Sequence, residues 1–391
     1  MRLLSRMSLP VALLAGVLAG PAIASAQNTT AAGGSRDGSS AATGYVYLDN
    51  NTAGANTISG FSRKADGALT ALPGSPFTAG GVGEGAGLAS QGAIRTTDEG
   101  QYLLAADAGS NQISVLRIGA DGSLTPVPGS PFSSGGVEPD SIAVNHGLVY
   151  VSNTGAGGTN YTGFTLSQDG QLHPIRGSTV TLPDGSGPGD IVLNGDNTKL
   201  VGTRVNTSLI DSFTVDSSGR PHAAPGSPYA AQGVGPFAGQ FRPTNPDQLF
   251  VTNAHNGDGL GTVSAYDDRP NGTLSPIGDS PFADFRTAPC WLVISPDSQY
   301  LYALDTGSAD ISSYSIARDG TLTLLSNTPV SSTPGVTGTD IALSADGGTL
   351  YLNMANNGVG EFAVHGGTVR QLPGSPVPAS GSASTAGITT S

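Results

Sequence analysis

Seven imperfect copies of one unit of about 50 residues predict an all-β protein, a seven-bladed β-propeller of four-stranded antiparallel blades. Three observations carry this. The segments Ile58 to Phe77 (ISGFSRKADGALTALPGSPF) and Ile113 to Phe132 (ISVLRIGADGSLTPVPGSPF) are near copies, and the unit returns from Tyr161, Ile210, Val263, Ile311 and Val359. A turn glycine stands at the same place in each copy: Gly67, Gly122, Gly170, Gly219, Gly272, Gly320 and Gly367. The C-terminal run Ala386-Gly387-Ile388-Thr389-Thr390 repeats the character of Gly92 to Thr97, the innermost strand of the second copy.

Each unit holds four strand signals, seen most plainly in the sixth: Trp291 to Ser295, Tyr300 to Leu304, Ile311 to Ile316 and Thr321 to Leu325. Between the last two sits Asp319-Gly320, whose glycine accepts the positive φ of a tight hairpin. The first strand signal of the chain, Tyr45 to Asp49, matches a second strand, so blade one lacks its innermost strand. The C-terminal run is expected to supply it and close the ring. A β-sandwich would not repeat seven times, and a parallel β-helix has a much shorter period.

The N-terminus sets the compartment. Arg2 and Arg6 precede an apolar run from Leu9 to Leu18, and Ala24-Ser25-Ala26 ends it, as in a secretory signal peptide spanning 1–26. Residues 27–43 read as a flexible leader and 44–391 as the single propeller domain, in the periplasm or secreted. A net charge of −13, with no Lys/Arg cluster, opposes nucleic-acid binding. No segment after the signal is apolar enough to span a membrane, and nothing calls for more than a monomer. The single cysteine, Cys290, excludes an intramolecular disulfide and has no histidine nearby in sequence; it reads as a small buried hydrophobe.

Propeller ligands meet the face where the innermost strands begin, called here the upper face. Aligning the repeats rings its channel mouth with Gly92, Ser141, Asp190, Ala238, Trp291, Asp340 and Thr385. Asp190 and Asp340, with Asp140 beside them, can raise one another's pKa or hold a calcium-like cation in the channel; each can equally cap backbone amides. No other cofactor is expected. Trp291 can stack on a sugar-like ring or plug two blades together. Second strands end in Asn or Asp, except for Arg204; with Arg286 it can orient a ligand carboxylate, or both can pair with acids of the chain. His255 is the best placed of the histidines for proton transfer, and Glu84 adds an acid on the same face. The repeated Gly-Ser-Pro is read as a turn, because no reaction needs a nucleophile in four equivalent blades.

The blade consensus is an aromatic third strand, a DG turn and a fourth strand L-T-x-L/V-P-G-S-P-F. With Ile294-Ser295-Pro296-Asp297 followed by Tyr300-Leu301-Tyr302, it resembles the seven-bladed lactonase family over essentially the whole mature chain. That family includes propeller-type 6-phosphogluconolactonase and fungal carboxymuconate cyclase. The resemblance implies the scaffold and lactone chemistry, with histidine in a Pro-x-His triplet leading into an innermost strand. Here the triplets read Pro139-Asp140-Ser141, Pro188-Gly189-Asp190, Pro236-Phe237-Ala238 and Pro289-Cys290-Trp291, without histidine. Asp190, Asp340 or Glu84 would then activate water, and Arg204 and Arg286 would steady the oxyanion. A non-catalytic propeller binding a carbohydrate-like ligand or a cell-envelope protein stays open beside this.

Overall fold

The repeated turn glycines all adopt positive φ, from +76° to +91°, and each closes a hairpin between the third and outermost strands of a sheet. The computed structural model describes residues 42–333, 335–379 and 385–391. The expected signal peptide lies outside them, as does the leader up to residue 41. Seven antiparallel sheets follow one another in chain order, so the predicted seven-bladed propeller is borne out. In blade six the strands are Pro289–Ile294, Tyr300–Asp305, Asp310–Ile316 and Leu322–Pro329.

The outermost strand is less simple than the sequence suggested. In blades one to five it is cut in two, and both pieces pair with the third strand, as Leu124–Pro126 and Phe132–Ser133 do with Gln112–Ile118 in blade two. The cut is a turn, Pro-Gly-Ser-Pro in blades one, two and four, Arg-Gly-Ser-Thr in blade three and Gly-Asp-Ser-Pro in blade five, which removes a ladder acceptor from the third strand. The serine replaces it. Ser75, Ser130, Ser178, Ser227, Ser280 and Ser375 each use Oγ to accept a third-strand amide, from Gly60, Val115, Gly163, Ser212, Ala265 and Glu361 respectively, at 2.7–3.0 Å. The Gly-Ser-Pro serine is thus a backbone surrogate. Blade six has Leu325-Ser326-Asn327 there, without the turn glycine, and its outer strand runs on unbroken to Pro329.

Adjacent blades are tied at their buried faces. The hydroxyls of Tyr47, Tyr150 and Tyr351, all fully buried, donate to the turn carbonyls of Gly122, Gly219 and Gly67 in the following blade. Nearer the axis, Thr203 reaches the Phe237 carbonyl and Thr252 that of Cys290, so hydrogen bonds as well as apolar packing fix the blade-to-blade angle.

The ring closes as expected. Gly387–Thr390 pairs antiparallel with Gly44–Asp49, matching Val46 to Thr390 and Asp49 to Gly387, and supplies the innermost strand of blade one. Ile388 is buried there among Val46, Leu48 and Tyr351.

A chain ending at residue 384 will therefore leave the inner edge of Gly44–Asp49 unpaired, and its calorimetric melting temperature will fall sharply; an unchanged value would contradict the closure. Ser130→Ala leaves the buried Val115 amide without an acceptor and will destabilise the fold by about 1–2 kcal/mol in urea titration.

Candidate functional site

Residues 88–91 decide which end of the central channel is open. Leu88, Ser90 and Gln91 are buried just ahead of the innermost strand of blade two. Ser90 Oγ donates to the Asp140 carbonyl of blade three at 2.6 Å, and the Gln91 amide donates to Gly189 of blade four at 2.9 Å. The Gln91 carboxamide grips the backbone of Leu292 in blade six in both directions, at 2.9 and 3.1 Å. One dipeptide can reach three other blades only by lying on the axis. It seals the upper mouth, where the ligand was expected.

Trp291 belongs to this seal. Its indole Nε1 donates to the Ser90 carbonyl at 2.8 Å, and its ring packs edge-on against Phe237 with centroids 5.3 Å apart. Only 6% of its surface is exposed, so no ligand can stack on it.

Asp190 and Asp340 do come to the channel wall, in the amide-capping role. Asp190 accepts the Ser141 hydroxyl, its own strand's Ile191 amide and the Gly239 amide of blade five. Asp340 accepts the amides of Ile341 and of Ile388 in the closing strand. Each staples its blade to the next. Burial pushes both carboxyls up to about 7, against the pull of those donors and of the Arg95 guanidinium. Every oxygen of the two carboxylates accepts a protein donor.

The remaining candidates are dispersed. Arg204 holds Asp211 of its own hairpin with two hydrogen bonds, at 2.6 and 2.5 Å, and Tyr161 donates to the same carboxylate. Arg286 pairs with Asp310 at 2.6 Å. The two arginines serve separate internal acids and do not form a common carboxylate clamp. Asp140 is fully buried, and burial holds its carboxyl well above the ordinary range. Glu84 is exposed beside Glu138, whose carboxyl is raised by burial and by Glu84. His255 is exposed, with its amide bonded to the Val234 carbonyl. Cys290 is buried, and its thiol is pushed up to about 11, unlike a nucleophile.

The open space lies at the other end. A cavity of about 500 Å³ enters the channel from the lower face, where the innermost strands finish, and its floor includes Gln91 and Arg95. Arg95 was not foreseen. Its Nε donates to the Ile142 carbonyl at 3.3 Å, and it joins none of the ion pairs among the described residues. A signal for it did exist. Each innermost strand has one residue paired three places before the polar end of the second strand; in the other blades this is Ala143, Val192, Gln240, Val293, Leu343 or Thr390, and in blade two it is Arg95. One charge in a ring of small, apolar and neutral side chains marks the channel. Asp98 is the single acid among the residues lining the cavity, and Arg242, also on its wall, is occupied by the carbonyls of Ser298 and Ala317.

Residues 248–374 match the family model of the lactonase seven-bladed β-propellers. The resemblance read from the blade consensus is borne out. Among solved structures, a candidate 6-phosphogluconolactonase of Bacteroides fragilis superposes with a TM-score of 0.71 at 16% identity, covering 89% of this chain and 98% of that one. A corresponding protein of Bacteroides uniformis gives 0.70 at 17%, covering 89% and 99%. The periplasmic gluconolactonase PpgL of Pseudomonas aeruginosa gives 0.69 at 14%, covering 89% and 98%. At such identities the likeness is one of fold. Among curated proteins no relative matches.

The buried acids set a pH dependence. The carboxyls of Asp49, Asp190 and Asp340 rise from 3.8 to about 7 on folding, so the folded chain holds protons that the unfolded chain releases. Stability from these groups is complete below pH ~4 and lost as pH climbs through ~7. Unfolding midpoints measured from pH 5 to pH 8 will fall; a flat or rising profile would refute the assignment.

Proposed function

We propose that this lactonase-family propeller is an exported hydrolase that admits a small sugar-like or organic-acid lactone into the channel from its lower face. One observation carries the reading: the Arg95 guanidinium sits on the floor of the open cavity and is free of any ion pair among the described residues. A guanidinium on the channel floor donates to a lactone carbonyl and stabilises the oxyanion formed when water adds to it. The water's proton passes to Asp98, the acid on the same wall. The ring C–O bond then breaks, and Asp98 returns that proton to the leaving alkoxide to give the hydroxy acid. Asp190 and Asp340 stand behind Arg95 as its electrostatic partners and touch no substrate.

Export rests on the sequence of residues 1–26, and the periplasmic description of the Pseudomonas aeruginosa neighbour is consistent with it. The strong negative charge suits a monomer free of nucleic-acid and membrane partners.

A second reading, a propeller that binds a hydroxy acid or carbohydrate-like ligand without turnover, is favoured by one feature. No histidine lines the cavity, and Asp98 is exposed at its rim.

A panel of aldonolactones and dicarboxylic-acid lactones, followed by acid release, separates the two. The hydrolase reading expects turnover that Arg95→Met lowers about 100-fold in kcat/KM and Asp98→Asn also lowers. Binding of the hydroxy acids without acid release from any lactone would establish the second reading, and neither binding nor turnover would eliminate both.

A further inference from the structure

The junction of blades five and six departs from the repeat. Just past the outer strand, one residue in each of blades two to six sends its amide back to the carbonyl ahead of the third strand. In blades two, three, four and six it is Ser134, Leu182, Ala231 and Val330; in blade five it is Asp284, which projects toward blade six. A carboxylate stands where its sisters place small or apolar side chains. It meets another acid, Asp305, the terminal residue of the second strand of blade six: Ser312 Oγ contacts both Asp305 Oδ2 and Asn327 Oδ1, Asn327 Nδ2 donates to the Asp284 carbonyl, and burial and the Asp284 carboxylate push the Asp305 carboxyl up. Both residues are fully buried.

Their outer oxygens are satisfied: Asp284 Oδ1 accepts the Arg286 amide at 2.6 Å, and Asp305 Oδ2 accepts the Ser312 hydroxyl at 2.5 Å. Their other oxygens, Asp284 Oδ2 and Asp305 Oδ1, have no protein partner. Neither has the hydroxyl of Tyr314, which is fully buried and lies in the field of both carboxylates, nor that of Thr306, next to Asp305. The same register holds Phe61, Phe164, Phe213 and Phe362 in four sister blades, Leu116 in blade two and Tyr266 in blade five, so the Tyr314 hydroxyl is not required by the repeat. The nearby cation, Arg286, is committed to Asp310. Buried oxygens without donors, two of them on neighbouring carboxylates, call for a positive charge that the protein does not supply.

We propose that Asp284 and Asp305 bind a small hard divalent cation of the calcium type between blades five and six, with the Tyr314 and Thr306 hydroxyls as neutral oxygen ligands. No group of three or more His, Cys, Asp or Glu side chains gathers among the described residues, so two carboxylates carry the charge and water fills the remaining positions. The site lies away from the channel and holds whether or not the lactonase reading does. Its ion would pin the outer turn of blade five to the second strand of blade six.

The test uses the whole mature chain, stripped with a chelator and titrated with calcium chloride while thermal unfolding and metal content are followed. Calcium is expected to raise the midpoint by several degrees, reversibly with EGTA. Asp284→Ala installs the residue that blade four carries as Ala231, and Tyr314→Phe the residue of four sister blades, so both are expected to fold. The first should abolish the calcium shift, and the second should weaken it. A midpoint indifferent to calcium, magnesium and manganese overturns the proposal. If Asp284→Ala then also loses part of the stability gained below neutral pH, the pair shares a proton instead of an ion.

Discussion

A ring of blades holds its first and last blades together by main-chain pairing only if its last strand belongs to the first blade. Here that condition rests on the pairing of Gly387–Thr390 with Gly44–Asp49. The pairing converts a chain of seven linked sheets into a cycle in which each blade is packed on both sides. It also puts Asp340 within reach of the Ile388 amide and Tyr351 within reach of the Gly67 carbonyl, so the closing seam carries the bonds found at other blade junctions. The geometry of the axis, and with it the channel, follows from that seam.

Much of this was legible because a repeat states its local chemistry seven times. The turn glycines, the number of blades and the role of the tail each rested on several copies agreeing. The Pro-Gly-Ser-Pro motif was read correctly as a turn, but its serine as a stand-in acceptor for a broken ladder became visible only with the register. Arg204 shows how a departure from the repeat can mislead. The polar end of the second strand bonds the residue seven places later, as Asp49–Asn56, Asp107–Ser114, Asn153–Asn160 and Asp305–Ser312. In blade four both members changed together, to Arg204 and Asp211. The pair kept its job with its charge inverted, and reading one member alone suggested a ligand site.

What stayed hidden belonged to no repeat unit. Ser90 and Gln91 follow a glycine-rich stretch whose composition says nothing of the axis, and their partners lie up to 201 residues away in sequence. Asp190 and Asp340 were placed correctly at the channel wall, yet their saturation by amides is a property of the neighbouring blades. Arg95 could have been found by asking which innermost strand carries a charge at a position otherwise filled by Ala, Val, Leu, Gln or Thr.

The Ser90–Gln91 seal also governs traffic. It makes the channel a cul-de-sac, so whatever occupies the floor near Arg95 must back out through the opening it came in by. If the proposed lactone hydrolysis takes place there, lactone and hydroxy acid would exclude one another at the same guanidinium, and departure of the acid would set the pace of the cycle.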